Sequence, residues 1–327
     1  MRRAESKSLD RPAKFYQHLI PPASPEETHF RHSGWSVRRE RVREALRATG
    51  HNDFFLNRFD ECGSGCSVEW SPALKTYRLR ADYCRCRHCE PCSRARANVM
   101  GGNLKRRLNE KPAGRYRFIT LTLRGSDTPL ADQLKRLYAA FKKLRGRKEW
   151  KRTQKGGAAI LEVKWMEETG RWHPHLHVIS EGLYIAQREL SGLWLNVTGD
   201  SSVVDIRPLE DSKEAVHYLT KYVTKGTSNA VWGKPDVAQE WVTATKGVRV
   251  AATFGTWRGF ALMEVTKDAT DWRPVATLNT VIQQAKAGVA WAMAALLALR
   301  PPGAHDAPPL PFDSPPPPDN PDFDLIF

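Results

Sequence analysis

No stretch of this chain is long and apolar enough to cross a bilayer. The longest apolar run, Ala287 to Leu299, falls short of the roughly 20 residues a spanning helix needs and reads as a packed helix. The N-terminus is charged and lacks the apolar centre of a secretion signal, so the cytoplasm is the expected compartment. A Gly-x4-Gly-Lys-Ser/Thr phosphate loop is missing, which argues against a helicase within the same chain. No internal repeat stands out. Acidic residues are in deficit: 36 Asp and Glu stand against 51 Lys and Arg, a net charge of +15. Residues 301–327 hold five Asp and no Lys or Arg, so the preceding 300 residues carry +20. A body that basic points to a polyanionic partner. An anionic membrane surface would also suit the charge, but no apolar span supports it. With 327 residues the chain has enough length for one substantial core and a smaller module.

The six cysteines are confined to residues 62–92, and in a reducing compartment they indicate metal rather than disulfides. Their spacing is Cys62-x3-Cys66, then Cys84-x-Cys86-x2-Cys89-x2-Cys92. Two groups separated by a loop suit one tetrahedral Zn2+ that helps a small module to fold. The preferred ligands are Cys62, Cys66, Cys89 and Cys92. Cys84 is the main competitor, and His88 is a further donor nearby. Arg78, Arg80, Arg85, Arg87, Arg94 and Arg96 surround them and make DNA contact the expectation, against the alternative of a structural zinc knob with no DNA role.

The rest of the chain divides by pattern. Residues 1–49 form a basic arm ending in a short helix over Val37–Leu46. Residues 50–110 hold the Cys-rich module, with turns at Gly63 and Gly65 and a linker helix over Ala95–Asn109. From Tyr116 strands and helices alternate. Phe118–Leu123 is a strand, and Leu130, Leu134, Leu137, Tyr138, Phe141 and Leu144 recur at helical spacing. Lys142 to Lys155 is a basic connection. Ala158–Trp165 and Trp172–Ser180 form a hairpin whose turn ends at Gly170. A helix over Leu183–Leu195, a strand over Ser202–Arg207 and a helix over Lys213–Thr224 follow. Val248–Phe254 and Phe260–Val265 add a strand pair. The order is β-α-β-β-α-β, an α+β domain over 115–266 with a ferredoxin/RRM-like antiparallel sheet. Residues 267–300 are expected to form a C-terminal helix, and 301–327 a disordered Pro-rich acidic tail.

Two segments carry chemistry. In Arg171-Trp-His-Pro-His-Leu-His-Val-Ile-Ser180, strand alternation puts His173, His175 and His177 on one face and Leu176 and Val178 on the other. Two imidazoles one residue apart, completed by an oxygen ligand, can hold Mg2+ or Mn2+, and Glu162 on the pairing strand is the best oxygen candidate. His175 and His177 are the preferred ligands, with His173 behind them. The bland alternative is three histidines with no ligand. In Tyr218-Leu-Thr-Lys-Tyr-Val-Thr-Lys225, helical spacing stacks Tyr218 on Tyr222. A phenol is a weak nucleophile at its usual pKa of roughly 10, so Lys221 and Lys225 are read as neutralising the phenolate or the DNA backbone. Glu214, four before Tyr218, could activate a water or hydroxyl. Amphipathic packing is the alternative for this helix.

Together these motifs resemble the rolling-circle replication initiators, the HUH endonucleases of plasmids and single-stranded DNA phages. Phe118-Ile-Thr-Leu-Thr-Leu123, Trp172-His-Pro-His-Leu-His-Val178 and Tyr218–Lys225 fall in that family's order. The run Cys84–Cys92 is similar to the zinc segment that precedes the nuclease domain in several of its members. The resemblance covers roughly residues 60 to 260. It implies nicking and rejoining of single-stranded origin DNA through a 5′-phosphotyrosine, with His175 and His177 as metal ligands and Tyr218 and Tyr222 as the nucleophile pair. A single-tyrosine scheme with Glu214 also fits. A host helicase and polymerase are the implied partners. The acidic, aromatic-ended tip Pro321–Phe327 resembles the docking tip of bacterial single-stranded-DNA-binding proteins. Competing readings are a rolling-circle transposase, a non-catalytic zinc-containing DNA-binding regulator and a zinc hydrolase.

Overall fold

The computed structural model describes residues 36–110, 115–209, 229–264 and 270–299. In chain order its elements are α1 (Ser36–Ala48), α2 (Asp53–Asp60), β1 (Ser64–Ser71), β2 (Thr76–Asp82), α3 (Glu90–Leu108), β3 (Tyr116–Thr122), α4 (Leu130–Gly146), α5 (Lys148–Thr153), β4 (Gln154–Met166), β5 (Arg171–Gly182), α6 (Gln187–Thr198), β6 (Val204–Pro208), α7 (Asn229–Trp232), α8 (Pro235–Thr245), β7 (Ala251–Gly255), β8 (Arg273–Thr277), α9 (Leu278–Lys286) and α10 (Ala290–Ala298). The result is a mixed α+β protein with antiparallel sheets, in two units. Their described parts are residues 60–84 with 270–299, and residues 36–59 with 85–264.

In the larger unit five antiparallel strands take the order β6-β3-β5-β4-β7. The central strand β5 is buried almost without a break from Trp172 to Ser180, as a strand covered on both faces must be. Its partner β4 reaches it through the turn at 167–170, where Gly170 takes φ +62, a conformation that costs a side-chain-bearing residue. That turn fixes the register: Leu161 faces Leu176, Glu162 faces His175 and Lys164 faces His173. Near the other end of β4 the backbones come so close that a Cβ on Gly157 would lie 1.9 Å from the Ile179 carbonyl oxygen.

Leu130, Leu134, Leu137, Phe141 and Leu144 are all buried, the stripe of an amphipathic helix, and α4 packs on β5 and α6. On the opposite face Ala97, Met100, Leu104 and Leu108 of α3 form one core with Tyr116, Phe118, Ala158, Ile160 and Ile179. This covers one half of the face that carries the histidines.

The smaller unit has the sheet β2-β1-β8, antiparallel throughout, with α9 and α10 packed on it. Its core includes Cys66, Val68, Val281, Ile282 and Leu296. Where a single helix is expected over 267–300, the structure has a strand and two helices. Thr277 ends β8 and caps α9 by accepting the Thr280 amide at 3.2 Å, and Gly288 at φ +80 separates α9 from α10. Other boundaries differ from expectation too: the helix expected over Leu183–Leu195 runs Gln187–Thr198, and the strand expected over Val248–Phe254 runs Ala251–Gly255. The linker helix α3 starts at Glu90 because Pro91 suits a first turn. Residues 260–264 form no strand: Asn103 Nδ2 donates to the Leu262 and Glu264 carbonyls at 2.9 and 2.8 Å, acceptors a ladder would need. The remaining strand of that expected pair, β7, extends the sheet beside β4. Among the described residues no helix is long and apolar enough to cross a membrane. The helix expected over Lys213–Thr224, most of the arm and the tail lie outside the described residues.

Candidate metal and nuclease site

Residues directly opposite in an antiparallel ladder share a face. Thr122 faces His175 and Thr120 faces His177 on one side, while Glu162 and Ile160 face the same histidines on the other. Three strands thus bring Thr120, Thr122, Glu162, His175 and His177 to one patch at the centre of the sheet. His175, His177 and Glu162 are all buried. Trp172, at the start of this strand, is held by α8: Glu240 accepts its indole N–H at 2.7 Å with one oxygen and the Leu130 amide at 2.7 Å with the other. One carboxylate therefore caps α4 and anchors the histidine strand.

The two histidines have different surroundings. His177 Nε2 lies 2.9 Å from Glu162 Oε2, and since a carboxylate only accepts, that nitrogen carries the proton. In the neutral ring Nδ1 then accepts from the Thr120 hydroxyl at 3.3 Å. His175 Nδ1 lies 3.0 Å from Thr122 Oγ1, and its buried Nε2 has no hydrogen-bond partner. Burial pushes the His175 pKa down to about 3, with the neighbouring His173 and Lys164 adding to the effect, so this imidazole stays neutral. Burial would raise the Glu162 carboxyl, but the His177 hydrogen bond and the Lys164 charge outweigh it and hold the acid below its ordinary range. Lys164 Nζ stands 3.7 Å from that carboxylate. His173 is half-buried, with its ring 4.5 Å from that of His175, and burial followed by Lys164 lowers its pKa.

A buried neutral imidazole whose Nε2 has no hydrogen-bond partner, a second imidazole and an ionised carboxylate are the donor types that could hold a divalent cation. The ring donors are not drawn together as tightly as the cysteines described next. Thr120 and Thr122, from the first motif, and Glu240 are missing from the sequence reading. Period-two alternation on β3 could have suggested the threonines; nothing local points to Glu240.

Cys62, Cys84, Cys89 and Cys92, all buried, bring their sulfur atoms within 4.8 Å of one another. Four thiolates at Zn–S distances of about 2.3 Å would stand roughly 3.8 Å apart, so the group fits one Zn2+. The Cys84 amide donates to Cys62 Sγ at 3.4 Å. Cys89 is the N-cap of α3 and Cys92 lies in its first turn, where the helix dipole favours thiolate. This group differs from the preferred ligand set in one member. Cys84 is in it, whereas Cys66 points from β1 into the apolar core beside Val68. Strand alternation places Cys66 on the same face as Val68, a constraint that spacing alone does not reveal. His88 packs against Trp232 and Trp241, and burial depresses its pKa to about 3.

The arginines expected on DNA are engaged within the protein to different degrees. Arg87 donates to the Thr245 and Val248 carbonyls at the end of α8, and Arg96 donates to the Cys86 carbonyl at 2.9 Å, bracing the cysteine loop. Arg94 pairs with Glu90 at 3.1 Å. Arg85 is exposed, at φ +60. Tyr218, Tyr222, Lys221, Glu214 and Lys225 lie outside the described residues.

Comparison with known proteins bears on the same residues. The family model Rep_1, described as Replication protein, matches residues 76–291, well over half of the chain. A "Protein rep" of Staphylococcus aureus is 26% identical over 196 residues, 55% of this chain and 85% of that protein. A "Protein rep" of Streptococcus pneumoniae serotype 2 is 23% identical over 208 residues, 58% of this chain and 62% of its own length, so the chain spans less than two thirds of that relative. No solved structure matches. With the model spanning both the cysteine group's helix and the histidine sheet, the chain belongs to the Rep_1 family of replication proteins.

Proposed function

We propose that this protein is a rolling-circle replication initiator, a site-specific single-strand DNA endonuclease and strand transferase. In this reading a phenol oxygen of Tyr218 or Tyr222 attacks an origin phosphodiester. The O–P bond forms as the bond to the 3′ oxygen breaks, leaving a 5′-phosphotyrosine and a 3′-OH. Rejoining reverses the exchange and conserves the phosphodiester energy. The observation that carries the reading is the unpartnered, buried Nε2 of neutral His175 beside His177 and Glu162. His175, His177 and Glu162 would hold Mg2+ or Mn2+, and the bound ion would polarise a phosphate oxygen. To serve as a ligand His177 would give up the Nε2 proton that Glu162 accepts and carry its proton on Nδ1, towards Thr120. The strand order supports the same reading. Numbering β3, β4, β5 and β6 as one to four gives 4-1-3-2 all antiparallel, the arrangement of a ferredoxin-like HUH core, with β7 added at the edge. The four-cysteine group is proposed as a structural Zn2+ site.

The test is incubation with single-stranded origin DNA and Mn2+, followed by mass spectrometry of trapped DNA–peptide. A covalent adduct on Tyr218 or Tyr222, lost in the double Phe variant and in His175→Ala, is the expected result. Tight binding with no adduct makes the protein a DNA-binding regulator. Cleavage without an adduct makes it a hydrolase.

A further inference from the structure

Residues 142–155 run from the last turn of α4 through α5 to the start of β4, and they hold eight Lys or Arg against one acid, Glu149. Lys142, Lys143, Lys148, Lys151, Arg152 and Lys155 are all exposed. Among the described residues none of these six makes an ion pair. Elsewhere in the same unit some bases are matched by acids, Lys135 with Asp132, Arg136 with Asp200, Arg171 with Asp127 and Arg107 with Glu110. Other exposed bases, such as Lys105 and Arg188, make no ion pair among the described residues either, but only over 142–155 are so many crowded together. Uncompensated like charge packed this densely repels itself, and the fold tolerates it without supplying acids. The rim also has apolar surface beside it. Leu183 is bound to the α5–β4 junction through its amide and carbonyl, yet its side chain is 59% exposed, and that of Tyr184 is 52% exposed.

Its position separates it from the histidines. Lys155 and Glu162 are seven residues apart on β4, which at strand rise is about 23 Å. A group bound at this rim therefore does not occupy the candidate nuclease site. The available groups are ammonium and guanidinium on mobile side chains, which suit phosphates and carry no base readout. We propose that this rim is a second DNA-backbone contact surface. It holds DNA flanking the nick, independently of sequence, while the histidine face engages the phosphate to be cut. The inference deepens the DNA-nicking reading and rests on it for the identity of the polyanion.

The experiment compares the full-length protein with a variant carrying Gln at all six positions. Binding to a labelled duplex and a labelled single strand of arbitrary sequence is followed across a salt series. Each phosphate that the rim no longer neutralises lowers the slope of log affinity against log salt by about 0.9 on duplex and about 0.7 on single strand. The expected result is an affinity loss of at least about tenfold at physiological salt and a slope shallower by about 5 on duplex, if all six engage. The ratio of the slope changes on the two DNAs tells which form lies on the rim. Adduct formation on a short oligonucleotide confined to the nick site stays at the wild-type level. Should the six-fold variant fold poorly, lysine acetylation of wild-type protein gives the answer: DNA must protect Lys148, Lys151 and Lys155. Unchanged affinity and slope, or no protection, overturn the rim. Loss of the adduct in wild-type protein with binding still weakened by the variant overturns the nicking chemistry and leaves the rim standing.

Discussion

His175 and His177 sit two residues apart on one strand, yet only His175 leaves a buried ring nitrogen without a partner. An unsatisfied buried acceptor costs about 1–3 kcal/mol, so its retention favours a ligand that satisfies it. His175→Ala is accordingly expected to reduce metal-dependent adduct yield by at least about a hundredfold, the scale on which removing one such interaction acts. Thr122 is the finer probe. Its hydroxyl is the Nδ1 partner that aims His175, so Thr122→Val should weaken Mn2+ affinity about 10- to 100-fold, and Thr122→Ser should restore it. A direct Mn2+ titration by electron paramagnetic resonance reads this without DNA, and equal affinity in the Val variant would remove the threonine from the argument. The depressed His175 pKa makes stability depend on pH. A folded pKa of about 3 lies below the ordinary 6.5, so the unfolded chain binds the proton first on acidification. The stability due to neutral His175 is then complete above about 6.5 and is lost as pH falls towards 3. In metal-stripped protein the His175 ring nitrogens, followed by NMR, should show no protonation between pH 7 and 5. A midpoint near 6 would refute the buried neutral ring.

At the scale of elements, the sequence reveals what is periodic and local. The His-x-His-x-His alternation and the four-residue turn ending in Gly170 are enough to place a hairpin with Glu162 on the strand beside the histidines; that Glu162 stands opposite His175 is known only from the register that the turn sets in the structure. What stayed hidden depends on distant segments. The α3 helix covers half of the histidine face through Met100 and Leu104, and its weak amphipathic pattern gave no hint of which sheet it would meet. The cap that Glu240 provides to α4 spans more than a hundred residues of chain. The motif strand β4 also depends on a close approach that looks unremarkable in sequence, Gly-Gly before Ala-Ala. Gly157→Ala would put a methyl group 1.9 Å from the Ile179 carbonyl oxygen, and neither backbone can yield without opening the ladder that sets Glu162 on His175. The expected cost is about 3 kcal/mol, the upper end for overpacking, seen as a lower urea midpoint. An unshifted midpoint would mean that the strands can separate there without loss.

For the whole molecule the cysteines set the sharpest test, since six are available and four are gathered. Spacing points to a metal module but does not choose its ligands, because the choice depends on which side of β1 Cys66 faces. In the structure it faces the apolar core with Val68, and Cys84 completes the group with Cys62, Cys89 and Cys92. The two roles give opposite outcomes on Ser substitution. Cys84→Ser removes a thiolate ligand, so metal analysis of the purified protein should fall from about one zinc per chain to a small fraction of that. Structural zinc contributes on the order of 10 kcal/mol in small domains, so this variant and a strong chelator should both lower the melting temperature markedly. Cys66→Ser should keep its zinc. It buries a hydroxyl in an apolar core, which costs about 1–3 kcal/mol, and its stability loss should be the same with chelator or without. If instead Cys66→Ser releases the metal and Cys84→Ser retains it, the ligand set is the one that spacing alone suggested, and the packing of β1 described above is wrong at that residue.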